Sequence, residues 1–518
     1  NMVSQGQYYN PLPSLYLFPR GDNFDEIRLY ERYNTNYGYM EQYWPYGDAS
    51  LSLQNPYWIQ NRINRTSNKK RYMMNASLKW QATDWLNVVG RVNLDNSDYR
   101  NKNEKSASTL TTFCGVSGGF EDAMRQERSL YADFLANIDK TFGDFHLTAN
   151  VGASIYHTSM DQLYIAGDLV IPNFFQINNI NFSANYKPDP TGYEDEIQSI
   201  FASAELSWKN QLYLTVTGRN DWDSKLAFSK QKSFFYPSVG LSALLSEMVK
   251  LPEVISYAKI RGSYTVVASS FDRFLTNPGY EYNSQTHNWA NPTVYPMDNM
   301  KPEKTKSWEI GLNLKFWGNR FNLDATYYRS NTLNQTFKVD IPSSSGYKQA
   351  IVQAGNVQNQ GIELALGFSD KWAGFGWSSN ATFTLNRNKV KRLASGSVNP
   401  VTGEAIQMDE MNVGWLGKEN VAPRVILTEG GSMTDIYVYN QLTKDNNGNI
   451  KVDQNGNLGI TSSNTPVKVG NLDADFNLGW TNHFTYKGID LGVVLSARVG
   501  GLAYSATQGI LDYYGVSE

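Results

Sequence analysis

The side chains that could carry out acid–base or metal chemistry are spread along this 518-residue chain rather than grouped. Histidine is the most versatile of these residue types, and the four histidines are His146, His157, His287 and His483. None stands at a metal-ligand spacing or beside a nucleophile motif. Asp and Glu are plentiful, so counting alone leaves open a carboxylate pair for glycoside hydrolysis. We predict that the chain is not an enzyme and that it holds no catalytic residue, metal or cofactor.

Two similar acidic segments, residues 445–449 (DNNGN) and 453–457 (DQNGN), look at first like calcium-binding loops. An EF-hand loop needs Gly at its sixth position and an acidic residue at its twelfth. Counted from Asp445, those positions hold Ile450 and Gly456, so the pattern fails. Each Asn-Gly pair instead favours a tight turn. We therefore predict two turns that close a hairpin in a loop.

Composition excludes several classes of protein. The net charge of −3 gives no indication of nucleic-acid binding. The single cysteine, Cys114, excludes a disulfide framework and is interpreted as an incidental small residue in a loop. No run of eighteen apolar residues is present, which argues against transmembrane helices. Aromatic residues make up 14% and charged residues only 18%, which suits a membrane β-barrel, although a large glycan-binding β-protein has a similar composition.

Apolar and polar side chains alternate strictly in many segments, which predicts β-strands with one apolar and one polar face. The clearest examples are residues 72–80, 145–155, 200–208, 308–316, 321–327, 362–368, 377–385 and 489–499. We count about fourteen such strands of about nine to thirteen residues, against about nine to eleven for a tilted strand that crosses a bilayer.

The connections alternate between short and long. Tight turns are predicted at residues 143–144, 209–211, 318–320 and 487–488, and long segments at roughly 96–127, 157–196, 269–304 and 389–470. Short periplasmic turns and long extracellular loops are typical of outer-membrane barrels. A soluble β-sandwich gives no reason for this alternation.

Charged and aromatic residues follow the same layout. The apolar faces carry no charge, and the opposite faces carry Glu205, Lys259, Arg261, Glu309, Asp324, Glu363, Asp490 and Arg498. Aromatic residues cluster beside the short turns, as in an interfacial belt: Trp80, Trp85, Trp208, Phe316, Trp317, Trp372, Trp377 and Tyr486. The predicted fold is therefore all-β, a transmembrane antiparallel β-barrel in contact with outer-membrane lipid.

At the residue level the chain resembles the SusC-like (SusC/RagA) TonB-dependent outer-membrane transporters of Bacteroidetes. The resemblance is carried by residues 213–222 (YLTVTGRNDW) with 234–243 (FFYPSVGLSA), 300–312 (MKPEKTKSWEIGL), 341–347 (IPSSSGY) with 356–364 (NVQNQGIEL), and 469–476 (VGNLDADF) with 486–491 (YKGIDL). Residues 10–13 (NPLP) and 16–19 (YLFP) are weaker matches to an early extracellular loop.

This resemblance implies a barrel that has 22 strands in the full protein and a plug domain that is not in this chain. It implies a multi-pass protein of the bacterial outer membrane that imports a bulky nutrient, an oligosaccharide or a peptide. The partners it implies are a SusD-like surface lipoprotein acting as a lid and the TonB-ExbB-ExbD complex acting through the plug. An alternative of the same fold is a siderophore or cobalamin receptor, against which the Pro-Ser-Ser and Lys-Pro-Glu stretches count. An alternative from another class is a surface glycan-binding or glycan-cleaving β-protein.

We expect three parts along the chain. Residues 1–71 form an aromatic-rich extracellular loop region and the early barrel, residues 72–500 form the transmembrane strands, and residues 501–518 begin an extracellular loop. We also expect that strands are missing at both ends, including the barrel C-terminus. No signal peptide is present, so the chain is expected to begin inside the gene product.

The candidate substrate-binding residues are aromatic. Residues 1–60 contain fourteen Phe, Tyr and Trp. Aromatic rings stack on sugars and present apolar area at low entropic cost. The predicted contacts are Tyr37, Tyr39, Tyr43, Trp44, Tyr46 and Trp58, together with Trp289 and Tyr295 in a later loop. The alternative is that these rings pack a large loop or meet the lid protein.

Overall fold

The computed structural model describes residues 11–48, 52–182, 187–277, 279–283, 288–297, 300–394, 398–406, 408–416 and 422–517. β-Strands dominate these ranges. None of the helices found there combines the length and the apolar character that crossing a membrane requires.

The main sheet is built from long strands that are arranged in the order of the chain. They are β3 (Ile63–Thr83), β4 (Leu86–Lys105), β5 (Gly119–Phe142), β6 (Phe145–Asp168), β7 (Lys187–Trp208), β8 (Leu212–Asp223), β9 (Phe234–Leu244), β10 (Ile255–Ser269), β14 (Glu303–Phe316), β15 (Phe321–Asp340), β16 (Gln349–Trp372), β17 (Phe375–Arg392), β22 (Phe476–Tyr486) and β23 (Ile489–Val499). Among the described residues, each of these fourteen strands pairs antiparallel with its neighbours in this series, and the end strands β3 and β23 each have one neighbour.

The smaller elements lie outside this series. Before β3 come α1 (Leu12–Tyr16), β1 (Glu31–Asn34), β2 (Tyr39–Gln42) and α2 (Pro56–Arg62). Later come α3 (Leu245–Met248), β11 (Glu281–Asn283), β12 (Asn288–Ala290), β13 (Val294–Tyr295), β18 (Glu410–Trp415), β19 (Arg424–Thr428), β20 (Asp435–Leu442), β21 (Ile460–Asn471) and α4 (Ala506–Tyr513). β1 pairs with β2, β11 with β12, and β18–β21 form a separate four-stranded sheet.

The strand register places apolar side chains in rows across the sheet. One such row, read from β14 to β17, consists of Ile310, Tyr327, Ile362 and Leu385. The adjacent row on the opposite face consists of Glu309, Tyr328, Gly361 and Asn386. Because successive side chains of a strand point to opposite faces, the sheet has one apolar face and one polar face, as the alternation predicts.

The predicted tight turns are confirmed, and they all lie at one end of the sheet, the short-turn rim. The hairpin turn between β22 and β23 has Lys487 at φ +46° and Gly488 at φ +87°. Ala373 and Gly374 adopt similar angles, +43° and +88°, between β16 and β17. Two consecutive positive φ values define the turn whose twist matches paired strands. The opposite end, from which the long connections leave, is the long-loop rim.

The predicted strand lengths are wrong for several strands, and so are two of the predicted long loops. β5 and β6 each have 24 residues, and most of residues 96–127 and 157–196 is strand. These strands run on beyond their apolar stretch, where polar residues occupy both faces. Backbone pairing continues there without alternation because a strand with water on both sides needs no apolar face.

The other two long segments are confirmed as connections that leave the main series of strands. Residues 269–304 carry β11 to β13, and β13 pairs in parallel with β16. Residues 389–470 contain the four-stranded sheet. The two Asn-Gly turns predicted there are also confirmed, with Gly448 at φ +86° and Gly456 at φ +82°.

Two of the predicted boundaries between parts of the chain can be placed relative to the strands and helices. The division after residue 71 falls inside β3, whose pairing with β4 begins at Ile63. Residues 501–518 follow β23 and contain α4.

Aromatic rings line the short-turn rim. Phe368 lies 4.7 Å from Phe321 and 4.8 Å from Trp377, centroid to centroid, and Trp377 stacks on Phe484 at 6.1 Å. These contacts cross β15, β16, β17 and β22. On these four strands, the aromatic residues beside the short turns therefore form a connected row of rings that includes Trp377.

Candidate functional site

Several charged side chains on the polar face of the sheet form ion pairs. Arg91 on β4 donates to both carboxylate oxygens of Asp133 on β5, at 2.9 and 2.5 Å. The Tyr131 hydroxyl donates to the same carboxylate at 2.8 Å, and the Asp133 side chain is fully buried. A buried carboxylate needs such partners because its desolvation is costly.

The same arrangement continues across β7, β8 and β9. Arg219 on β8 donates to Asp221 and to the hydroxyl of Ser199, both at 2.7 Å. Tyr236 on β9 donates to Asp221 at 2.5 Å. These side chains hold neighbouring strands together and give this face a hydrophilic surface.

A second cluster lies further round the sheet and contains three of the charged residues that the alternation assigns to the polar face. Arg261 on β10 lies 3.0 Å from Asp324 on β15 and 3.6 Å from Glu309 on β14. Asn313 also donates to Asp324, at 3.0 Å. These contacts confirm that the three charges share one face.

The aromatic-rich N-terminal segment packs on the long-loop rim beside β3 and β4. The Gln42 backbone N–H donates to the Ser108 hydroxyl at 3.0 Å, and the Leu110 N–H donates to the Gln54 side chain at 3.0 Å. Glu31 accepts two hydrogen bonds from Arg62, at 2.6 and 2.8 Å, where α2 leads into β3. The segment is therefore anchored on the connection between β4 and β5.

Five of the predicted contact residues form close pairs in this segment. Tyr37 stacks on Tyr39 with ring centroids 5.6 Å apart, and Tyr37 is 63% exposed. Trp44 meets Tyr46 edge-on at 5.0 Å, while Tyr43 lies under the Arg32 guanidinium at 3.5 Å. Tyr37 is thus the ring of this group most open to solvent, and the other four are half-buried.

Trp58 does not fit the predicted role. Its side chain is completely buried, and its indole Nε1 donates to the Thr109 hydroxyl at 3.0 Å. Because no part of the ring reaches solvent, Trp58 anchors the N-terminal segment and offers no surface to a ligand. This corrects its assignment as a substrate contact.

The two later aromatics belong to a different part of the long-loop rim. Trp289 is 69% exposed and packs against Tyr282 at 5.1 Å across the β11–β12 hairpin. Tyr295 lies on β13 and meets Tyr347 at 5.3 Å. Both therefore sit on the connection between β10 and β14, whereas the N-terminal group sits above β3 and β4.

This fold and polar wall agree with a comparison to known protein families. Residues 13–418 match the family model described as TonB dependent receptor-like, beta-barrel. The chain belongs to this family. Within the family it is similar to TonB-dependent receptor P3 of Formosa agariphila, at 23% identity over 426 residues, which cover 76% of this chain and 41% of that protein. It is also similar to the TonB-dependent receptor SusC of Bacteroides thetaiotaomicron, at 25% identity over 325 residues, or 59% of this chain and 31% of SusC.

The chain thus spans less than half the length of these curated relatives. Among solved structures it is similar to the RagAB peptide importer in its open-open state, with a TM-score of 0.70 and 16% identity. That match covers 89% of this chain and 50% of the other chain. It agrees with the fold implied by the SusC-like resemblance.

Sequence reasoning missed three tyrosines on the polar face of the sheet beyond the apolar stretches. They are Tyr99 on β4, Tyr156 on β6 and Tyr193 on β7. Tyr99 and Tyr193 fall within segments that were predicted to be loops, and Tyr156 lies directly before one of them. Extending the alternation of β4 and β6 past their apolar stretches would have placed Tyr99 and Tyr156 on the polar face.

The described part of the chain contains no group of three or more His, Cys, Asp and Glu side chains that could hold a metal ion. His287 lies outside the described ranges.

Proposed function

We propose that this chain forms most of the wall of a SusC-like importer, which carries an oligosaccharide or a peptide across the bacterial outer membrane. The observation that supports the proposal best is the division of one continuous sheet into an apolar face and a face of buried and half-buried ion pairs. A barrel wall with lipid outside and a polar lumen inside needs this division, because a charge on the lipid face costs about 2–4 kcal/mol at mid-membrane.

The height of the apolar face supports a membrane position. On β3 it runs from Trp80, at the short-turn rim, up to Tyr72. A strand rises about 3.3 Å per residue, and a tilt of about 40° leaves a height of about 20 Å, close to the band of outer-membrane barrels. Both ends of this stretch are aromatic, as interfacial belts are. We propose that the fourteen strands of the main series span the outer membrane with the long-loop rim outside the cell.

The partners follow from the family rather than from this chain alone. We propose that the full protein works with a SusD-like lipoprotein lid on the long-loop rim and draws energy from TonB-ExbB-ExbD. The exposed aromatics Tyr37 and Trp289 lie on that rim and are proposed to face the substrate or the lid. The chain's role in this proposal is passage and not chemical conversion.

Co-purification tests the partner. The full-length protein would be tagged, extracted from outer membranes in detergent and analysed by mass spectrometry. A SusD-like lipoprotein in stoichiometric amount is the expected result. A barrel that purifies alone would reject the lid and favour a siderophore-type receptor.

Uptake tests the activity. Deleting the gene should abolish growth on one class of polymeric nutrient, and deleting tonB should have the same effect. A strain whose growth on every glycan and peptide source is unchanged without the gene would contradict the import proposal.

A further inference from the structure

A pocket of about 380 Å³ lies on the polar face of β3 to β7. Its lining includes Arg71, Asp95, Tyr99, Ser129, Tyr156 and Tyr193. We call it the tyrosine pocket. Arg71 precedes Tyr72, where the apolar face of β3 ends, so the pocket lies level with the upper edge of the membrane band. Its volume falls at the lower end of ligand sites, about 300–1,000 Å³.

The charged side chains that project from the polar face into the pocket have partners. Arg71 donates to both oxygens of Asp95, at 2.9 and 2.5 Å, and Arg125 forms an ion pair with Glu127. The Lys69 ammonium lies 4.7 Å from the centre of the Tyr99 ring. Arg128 also lines the pocket, but it alternates with Glu127 and Ser129 along β5, so its side chain points to the opposite face. Because Lys69 and Arg71 each have an anionic or aromatic partner, the polar face of the pocket offers a ligand hydrogen-bonding groups without an unpaired cation.

The rings of the pocket differ in exposure. Arg273, from the connection after β10, covers one face of Tyr193 at 3.5 Å and donates to Asp195 at 2.6 Å. Tyr156 projects from the polar face, and 40% of its surface is exposed. A tyrosine exposed inside a barrel presents apolar area to whatever passes, and fixed rings bind at low entropic cost.

Most of the backbone of this wall is already hydrogen-bonded within the sheet. β4, β5 and β6 pair on both sides over almost their whole length, so their N–H and C=O groups are occupied. β3 is the end strand of the described sheet and residues 187–196 of β7 pair only with β6, so unpaired backbone lies only at the two sides of the pocket. An extended peptide binds best where it can add to a free strand edge or meet an unpaired charge. At its centre, on β5 and β6, the tyrosine pocket offers no free strand edge, whereas ring faces beside hydroxyls and a bidentate Arg–Asp pair suit a sugar ring.

We propose that the tyrosine pocket binds a sugar unit of a neutral oligosaccharide during import, with Tyr156 as the stacking ring and Arg71, Asp95 and Ser129 as hydrogen-bonding groups. This inference rests on the proposed import function and narrows its substrate to glycans. It assigns a binding role to the barrel wall itself, apart from the aromatic residues of the rim.

Titration of the full-length transporter in detergent tests the proposal. The probes are neutral hexasaccharides of α-1,4-glucan, β-1,4-xylan, β-1,4-mannan and β-1,4-galactan, and a set of hexapeptides, with binding measured by calorimetry. At least one hexasaccharide should bind, and Tyr156→Ala should weaken it about tenfold, equivalent to about 1.4 kcal/mol. Tyr156→Phe, which keeps the ring, should retain most of the affinity.

The matched control is Tyr72→Ala. Tyr72 lies at a similar height, is 46% exposed and projects from the apolar face of β3. It should leave the affinity unchanged. Equal losses of affinity in Tyr72→Ala and Tyr156→Ala would mean that both substitutions disturb the strands. That result would overturn the proposal that the tyrosine pocket binds the sugar.

Two further outcomes separate this inference from the import function. If a hexasaccharide is bound and taken up and Tyr156→Ala changes neither its binding nor its uptake, the binding role of the tyrosine pocket is rejected and the import function is kept. If only hexapeptides bind, the glycan assignment is wrong and import again stands. Binding of no probe, together with unchanged growth after gene deletion, would reject both.

Accessibility provides an independent check. A cysteine at position 156, introduced by Tyr156→Cys, should react with a membrane-impermeant maleimide in the full-length protein. Protection of that cysteine in the absence of ligand would show that another part of the protein fills the pocket, which would also overturn the inference.

Discussion

Arg91 and Asp133 face each other across β4 and β5 in a bidentate ion pair, and the Asp133 side chain is fully buried while half of the Arg91 side chain is exposed. Removing the arginine would therefore leave a buried carboxylate with only the Tyr131 hydroxyl as a side-chain donor among the hydrogen bonds described for it. The pair is the clearest example of how this sheet tolerates charge on its polar face.

We expect Arg91→Met to lower the free energy of unfolding by about 1–3 kcal/mol, the cost of a buried polar group that loses its partner. The measurement is urea-induced unfolding of the purified barrel in detergent, followed by tryptophan fluorescence. The double variant Arg91→Met/Asp133→Asn should recover most of the loss because it removes the uncompensated charge. Equal stability of the single and double variants would contradict the buried-charge explanation.

Arg273 anchors the connection after β10 to the wall through Asp195 and Tyr193. Arg273→Ala should free residues 270–277 and raise their hydrogen exchange and protease sensitivity, since hydrogen bonds to charged groups contribute about 1.5–3 kcal/mol. Arg320→Ala is the control, because Arg320 forms an ion pair of 3.1 Å with Asp370 beside the short-turn rim. If both variants leave residues 270–277 equally protected, the anchor has no such effect.

Trp58 and Trp44 should respond differently to substitution. Trp58→Ala removes a fully buried ring, and loss of such a side chain costs about 3–5 kcal/mol. We expect the N-terminal segment to detach from the connection between β4 and β5, seen as faster hydrogen exchange in residues 52–62 and 106–110. Trp44→Ala should leave that exchange unchanged. Unaltered exchange in Trp58→Ala would show that other contacts suffice.

Tyr37 and Tyr43 test the proposed role of the rim aromatics. Tyr37→Ala and Tyr43→Ala should reduce nutrient uptake or lid binding while leaving the amount of folded barrel in the outer membrane unchanged. Wild-type uptake and lid binding in both variants would remove these residues from the site and leave the packing of a loop as their role.

Burial raises the pKa of the Cys114 thiol to about 11 in the connection between β4 and β5. The folded protein should thus react slowly with iodoacetamide at pH 8, and the rate should rise up to about pH 11. In urea the inflection should move to about 8.5, the ordinary value for cysteine. The folded state favours the neutral thiol. Ionisation of Cys114 therefore destabilises the folded protein relative to the unfolded protein as the pH rises above about 8.5. Equal rates in the folded and unfolded protein at pH 8 would show that Cys114 is accessible.

Much of this protein could be predicted from sequence because period-two alternation is a local property. The apolar rows of β3, β6, β14 and β16, the tight turns and the shared face of Arg261, Glu309 and Asp324 all follow from residues a few positions apart. The SusC-like stretches are equally local, and the family match agrees with them.

Other features depend on contacts between residues far apart in the chain, so only the tertiary structure reveals them. Trp58 is aromatic and lies in an aromatic-rich segment, yet it is buried because residues 106–110 fold over it. Tyr99, Tyr156 and Tyr193 line one pocket because the register of three strand pairs brings them together. Above the apolar band both faces of a strand are polar, so no local pattern shows that the strand continues. In that region the structure is determined by the pairing of backbone groups between strands. The types of the side chains do not reveal this pairing.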